Sequence, residues 1–303
     1  MRIGVAATPY VAIPTLDWLV TSPHDIPLII TQPDRPSGRG QEISQSPVSK
    51  WADEHGIQIV KPSSPSDLVG VINSLDVVIT IGYGVLLPET VLKLPRYGFL
   101  NLHFSLLPLY RGAAPVQRAI QNGERVTGVS VFQLDKGMDT GPLFTQLKLE
   151  IDSEWRSYEL LERLSLIGPV AIEEALTMIE NGLSPIEQTG HASMAPKISK
   201  AEASIDWSQS SEEIVNKVRA FYPTPNAWTL WKGNPLKVTR VNRAHSELAL
   251  SPGQIHCADN SLFVGTGNGE VVELLLIVPA GKSEMSAIAW SRGAHLRGGE
   301  HFG

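Results

Sequence analysis

The amino-acid sequence predicts an α/β fold, a doubly wound and mainly parallel sheet, followed by a smaller domain of short strands. Three features carry this. Short apolar runs such as RIGVAA at 2–7 and DVVITI at 76–81 alternate with helix-patterned segments, as parallel strands joined by crossover helices require. DVVITI is apolar throughout, which suits a central strand buried on both faces. After Gln188 the pattern changes to one helix and then several short strands between Gly-rich turns, the signature of a small barrel.

Arg2 to Ala7 is the first strand, and Val11 to Thr21 a helix with Pro14 in its first turns. Ile26 to Thr31 is the second strand. Gln32 to Val48, QPDRPSGRGQEISQSPV, is a long polar loop with three prolines and two glycines; loops of this length in a compact domain are usually functional or disordered. A helix from Lys50, a strand over 57–60 and a helix over 65–74 lead to the strand at 76–81 and the Gly82-Tyr83-Gly84 turn. Two glycines there allow close backbone approach to a ligand. A short helix begins at Pro88-Glu89. Val126 to Leu134 and Leu143 to Ile151 are strands, and Tyr158 to Asn181 is one amphipathic helix, with a kink expected at Pro169. Strands follow at 227–231, 235–241, 253–256, 261–265 and 271–278, and the Gly-rich tail from Ser291 is expected to be loose.

Composition sets limits. A chain of 303 residues, 42% apolar and 18% charged, has room for two domains with real cores. No apolar run approaches the ~18 residues of a membrane span, and MRIGVAATPY lacks a signal-peptide pattern. The single cysteine, Cys257, cannot form an internal disulfide, which fits a reducing cytoplasm, and is expected to be a small buried side chain. With no Cys pair and scattered histidines, no metal cluster is expected. A net charge of −6 argues against general attraction to nucleic acid. Residues 207–303 carry 9 basic against 8 acidic side chains, so RNA would have to meet a local patch.

The stretch that carries chemistry is GFLNLHFSLLPLYRGAAPVQR, residues 98–118. Asn101 and His103 alternate about Leu102, so a strand projects them from one face, and open α/β sheets bind ligands beyond the carboxyl ends of their strands. By itself the pattern does not assign a role, since a histidine among apolar residues is ordinarily a core or loop residue. The same holds for Asp139 in DKGMDTGP, which on its own is a turn aspartate bonding its own backbone. The first strand-turn-helix lacks a GxGxxG fingerprint, which argues against a nicotinamide dehydrogenase.

NLHFSLLPLYRGAAPVQRAI resembles the signature of the folate-dependent formyltransferases, which is Asn-x-His, then Ser-Leu-Leu-Pro, then an Arg-Gly-Ala-Ala-Pro turn. The family's D-x-G-x-D-T-G segment is matched by Asp135, Gly137, Asp139, Thr140 and Gly141. The DRPxGRG loop of the branch that acts on methionyl-tRNA is matched at Arg35 and Arg39, although Gln41-Glu42 stand where that branch commonly has two lysines, and each lost cation removes a possible phosphate contact. The segment APKISKAEASIDW resembles the family's interdomain connector. The resemblance runs from Ile3 to about Ala287.

It implies a Rossmann-like, folate-binding catalytic domain over 1–188, a linker without a site role over 189–206, and an OB-like tRNA-binding domain over 207–303. It implies transfer of a formyl group from 10-formyltetrahydrofolate to the amino group of methionyl initiator tRNA, with no metal, by a cytoplasmic monomer. Asp139 corresponds to the family's catalytic aspartate. Asn101 and His103 then suit donors to the oxyanion, and Asp139 suits orienting His103, favouring its charged form and relaying a proton. Parallel strands would put all three at one end of the sheet. Ser105, Leu106, Leu107 and Pro108 would line the folate pocket, with the Gly82 and Asp135 loops around the pterin, and Arg35 and Arg39 would meet tRNA. The alternatives are a sibling formyltransferase acting on glycinamide ribonucleotide or an amino sugar, a formyl-folate hydrolase, and a catalytically silent RNA-binding protein; the intact Asn101, His103 and Asp139 set counts against the last.

Overall fold

The structure is a computed structural model and describes residues 1–37, 42–244, 248–296 and 298–303. It divides into two compact units, one of Met1–Pro115, Val126–Glu150 and Leu161–Pro196, the other of Val116–Arg125, Ile151–Leu160 and Lys197–Gly303. Among the described residues no helix is long and apolar enough to cross a membrane.

The elements up to the middle of the chain are β1 (Arg2–Ala7), α1 (Ile13–Thr21), β2 (Asp25–Ile30), β3 (Arg35–Ser37), β4 (Glu42–Ser44), α2 (Pro47–Glu54), β5 (Gln58–Val60), β6 (Val77–Ile81), α3 (Glu89–Leu92), β7 (Phe99–His103), α4 (Pro115–Gln121), β8 (Val126–Gln133), β9 (Leu143–Glu150) and α5 (Ser157–Glu180). A seven-stranded sheet runs in the order β5-β2-β1-β6-β7-β8-β9. The pairs from β5 to β7 are parallel, whereas β7–β8 and β8–β9 are antiparallel. Every residue of β6 is buried, as a central strand covered on both faces demands. The faces separate by alternation. Val78 and Phe99 join Leu28, Ile30, Leu68 and Leu92 in one core cluster. Leu102 looks the opposite way, where Gly168 of α5 lets that helix approach: a Cβ at 168 would stand 2.8 Å from the Leu102 side chain and 3.0 Å from Thr15 Oγ1. The helix assignment of α5 continues through Pro169.

Local chemistry starts α2 cleanly. Ser46 Oγ accepts from Ser49 N at 3.0 Å and Pro47 occupies the first turn. Two elements expected in this first unit take another form. The helix expected over 65–74 is a 3-10 turn, Pro65–Leu68, capped reciprocally by Ser64 and Asp67; Gly70, at φ +90°, takes the backbone out of helical space. The loop after β2 holds a short antiparallel hairpin, β3–β4, in the register Arg35↔Ser44.

The second unit contains α6 (Ser211–Phe221), β10 (Ala227–Trp231), β11 (Asn234–Ala244), β12 (Ile255–Ala258), β13 (Ser261–Gly265), β14 (Val271–Pro279), β15 (Met285–Ser286) and α7 (Ala287–Ala294). Its sheet is antiparallel throughout, in the order β10-β11-β14-β13-β12, with β15 on β14. A capping box of Ser210 and Glu213 begins α6. The chain end is not loose. Trp207, Trp231 and Trp290 gather around Phe302 with ring centroids 5.6–6.0 Å apart, and Phe302 N donates to Gly253 O at 2.9 Å. Aromatic burial of this kind outweighs the freedom that the neighbouring glycines confer. Cys257 is exposed although it shares a strand face with Ile255, because β12 is the edge strand of this sheet and the core cluster includes Ile255 but not Cys257.

Candidate active site

The site is built from three segments of the first unit, the end of β7, the loop after it, and the loop between β8 and β9. Phe99, Asn101 and His103 share one face of β7. His103 is 6% exposed. Its Nε2 lies 2.9 Å from Tyr110 O, and a carbonyl can only accept, so Nε2 carries the hydrogen and a neutral ring has its lone pair on Nδ1. Nδ1 in turn is 3.7 Å from Asp139 Oδ2. Burial lowers the pKa of His103 below the ordinary imidazole value, and the opposing pull of Asp139 and of the Tyr110 carbonyl does not overcome it. Hence the ring rests neutral near pH 7 and offers a base, not an N–H, at Nδ1. Asn101 is half-buried and its amide has no hydrogen-bond partner among the described residues, which leaves its N–H groups available to a substrate.

Asp139 reaches this place by an unexpected route. Because β8 runs antiparallel to β7, its end lies beside the start of β7, where Leu134 N donates to Phe99 O at 2.8 Å. The loop over residues 135–142 must therefore fold back for Asp139 to meet His103. Its sequence explains how. The Asp135 carboxylate accepts from Gly137 N at 2.9 Å and from Thr140 Oγ1 at 2.8 Å, closing a tight turn. There is no room for a side chain at Gly137 or Gly141, where a Cβ would fall 2.0 Å from Thr140 Oγ1 and 1.8 Å from Gln133 O. Asp139 itself adopts φ +54°, a region that aspartate tolerates. Its Oδ2 then accepts from Gly112 N at 2.8 Å.

The Ser105–Pro108 segment is fixed from within. Ser105 Oγ donates to Leu109 O at 2.6 Å, and Ser130 Oγ donates to Ser105 O at 2.6 Å while accepting from Leu107 N at 3.0 Å. Gln146 Nε2 donates to Leu107 O at 2.8 Å. Ser105 and Leu107 are buried, whereas Leu106 and Pro108 are partly accessible. Both hydroxyls donate to backbone carbonyls, so neither is poised as a nucleophile against His103. Gly82, at φ +57°, ends β6 against Pro9, which a Cβ would approach to 2.7 Å. Asp135 is exposed and its carboxylate is engaged in its own turn. Arg35 lies exposed on β3; Arg39 lies outside the described residues.

Sequence reasoning did not single out Tyr110, whose carbonyl sets the His103 tautomer, or Gln188. The connector was expected to have no site role. Its first half instead belongs to the site's frame: Arg111 N donates to Ser193 O at 2.9 Å and Ala195 N to Arg111 O at 2.6 Å. A glycine at 112 is needed there, since a Cβ would stand 2.7 Å from Ala195 O.

A doubly wound sheet carrying an unengaged amide and a buried imidazole–carboxylate pair, with neither the Ser105 nor the Ser130 hydroxyl poised as a nucleophile, fits the class of transferases whose nucleophile comes with the substrate. The chain matches "Formyl transferase" over residues 5–176 and "Formyl transferase, C-terminal domain" over residues 197–295, and it belongs to the formyl transferase family. It is 39% identical over 306 residues to the methionyl-tRNA formyltransferase of Salinispora tropica, with 99% of each chain covered. In fold it is similar to the methionyl-tRNA formyltransferase from Clostridium thermocellum, at TM-score 0.60 and 17% identity, covering 93% of this chain and all of that one. It is also similar to WlaRD, a sugar 3N-formyl transferase, at TM-score 0.69 and 19% identity, covering 93% and 99%.

Proposed function

We propose that this protein transfers a formyl group from 10-formyltetrahydrofolate to the free amino group of methionyl initiator tRNA. Likeness of fold does not choose the acceptor, since tRNA and sugar enzymes share it. The observation that carries the reading is full-length identity of 39% to a methionyl-tRNA formyltransferase, together with a site that holds a base and an oxyanion donor but no nucleophile of its own.

The geometry supports the following step. The amine attacks the formyl carbon, forming the new C–N bond. Its proton passes to His103 Nδ1, and the imidazolium so formed is stabilised by Asp139, 3.7 Å away. The negative charge that develops on the formyl oxygen is met by the unengaged Asn101 amide. Collapse breaks the bond from carbon to folate N10, and the imidazolium returns the proton to that nitrogen. His103 thus carries one proton from the attacking amine to the leaving one, which a neutral ring with a lone pair on Nδ1 is suited to do. Leu106 and Pro108, with the backbone around Gly82 and the 135–141 loop, form the folate-facing wall. Arg35 and Arg39 provide phosphate contacts, and the antiparallel unit, which has a hollow lined by five arginines and three glutamates, provides further ones.

The test is formyl transfer with methionyl initiator tRNA, with methionyl elongator tRNA and a tRNA-free reaction alongside. Formylation of the initiator is expected; formate release without tRNA would make the protein a hydrolase, and transfer only to a small amine would make it a sibling transferase.

A further inference from the structure

The Asp135 carboxylate closes the turn that carries Asp139 but makes no bond to the Asp139 or Gly141 carbonyls. Asp139 lies between Gly137 and Gly141 and has a left-handed backbone of its own. Glycines add conformations that the folded state must exclude. Gly112 N fixes the carboxylate, but something else must fix the backbone that carries it.

Gln188 does this with a single amide. Its Nε2 donates to Asp139 O at 2.9 Å and to Gly141 O at 2.8 Å. Its Oε1 accepts from Arg111 Nε at 3.2 Å and Nη2 at 2.7 Å. One primary amide can make all four contacts at once, two as donor and two as acceptor. The residue is anchored in turn, because the segment before it pairs with the start of β9: Leu143 N donates to Ile186 O at 2.7 Å and Ile186 N to Leu143 O at 2.8 Å. Arg111 immediately precedes Gly112, the residue that holds the carboxylate. Gln188 therefore ties together the two loops whose meeting brings Asp139 to His103.

We propose that Gln188 is a positioning residue for catalysis, holding the Asp139 backbone so that its carboxylate stays at His103 Nδ1. This rests on His103 acting as the base, as set out above. Asp139 is the charged group that acts on His103; the Tyr110 carbonyl and the edge-on Phe132 ring are its other neighbours, and the Arg111 guanidinium is turned to Gln188.

The experiment compares Gln188→Met, Gln188→Glu and His103→Ala in the full chain. It measures kcat, KM for 10-formyltetrahydrofolate and for methionyl initiator tRNA, and kcat/KM against pH, with thermal unfolding to establish folding. Methionine keeps the length of glutamine and loses all four contacts. Misplacement of a reacting group by about 1 Å can cost on the order of 10²-fold. Gln188→Met should therefore lower kcat by about 10- to 100-fold and leave both KM values within about 3-fold. Its acid limb should move to lower pH, because a receding carboxylate no longer helps His103 hold a proton. Gln188→Glu keeps an acceptor for Arg111 but has no donors for the two carbonyls, and should do no better. If the methionine variant does not fold, Gln188→Glu, which keeps an acceptor for Arg111 and loses only the donors to Asp139 O and Gly141 O, gives the same readout. A Gln188→Met enzyme with unchanged kcat, or with lowered kcat and an unmoved acid limb, overturns the assignment. An active His103→Ala enzyme would instead overturn the reading on which it rests; an inactive one beside an unaffected Gln188→Met overturns the role of Gln188 alone.

Discussion

Asp139→Asn tests the site with the least disturbance to its structure. Asparagine tolerates the left-handed backbone seen at φ +54°, and its carbonyl can still accept from Gly112 N. What disappears is the charge facing His103. At 3.7 Å, an effective dielectric constant of about 20 makes a unit charge pair worth about 4 kcal/mol. The carboxylate is 16% exposed, so this is a ceiling, and the matching loss in kcat is about 10²- to 10³-fold. Asp139 raises the His103 pKa while burial lowers it. Removing the charge therefore lowers that pKa further, and the acid limb of the kcat/KM profile should shift to lower pH even as the plateau falls. Formyl transfer measured under saturating folate and tRNA over a pH series reads both effects. A variant within about 3-fold of the parent kcat, against the ceiling calculated above, would refute the claim that the pair's electrostatics assist the proton transfer.

The other predictions follow from the same geometry. Asn101→Ala should lower kcat by about 10²- to 10³-fold, as loss of one oxyanion donor does elsewhere, with KM for the folate nearly unchanged; steady-state kinetics checks this. Gly141→Ala places a Cβ 1.8 Å from Gln133 O, so the loop must rearrange. Activity should collapse while circular dichroism and the unfolding transition show a folded chain, because the clash is local to the loop. Burial depresses the His103 pKa, so the unfolded chain binds its proton more readily below pH 6.5. The contribution of the neutral ring to stability is thus complete above that pH and is lost as pH falls through the folded-state value. Urea unfolding at pH 7.5 and 5.5 should show a steeper loss for the parent than for His103→Gln.

The parallel half of the sheet was legible in the sequence because a strand buried on both faces leaves an unbroken apolar run, as in β6, and such a run needs no tertiary information to recognise. The candidate residues Asn101, His103 and Asp139 stood out in the sequence for a different reason. Their motifs, N-L-H and D-K-G-M-D-T-G, stand out as residue patterns, and resemblance to a family gave those patterns a chemistry. Elements set by weak local preference were misjudged. The 65–74 segment starts with a helix-type cap but turns at Gly70, and the Gly-rich tail is held by Phe302 against Trp207, Trp231 and Trp290, which come from three separate parts of the chain.

Only the tertiary structure decided how these candidate residues are placed and which groups face them. The composition of a strand cannot say that its neighbour runs antiparallel, that a loop must consequently fold back to deliver Asp139, or that the Tyr110 carbonyl holds the proton on Nε2. Nor can it say that burial outweighs Asp139 in setting the charge of His103. Gln188 is the clearest case. A lone glutamine at the last position of the expected catalytic domain has no local signal, since its four hydrogen bonds join positions 47, 49 and 77 residues away. The residue types that could do acyl-transfer chemistry are therefore written in the sequence, while their protonation and positioning are long-range properties that exist only once the chain has folded.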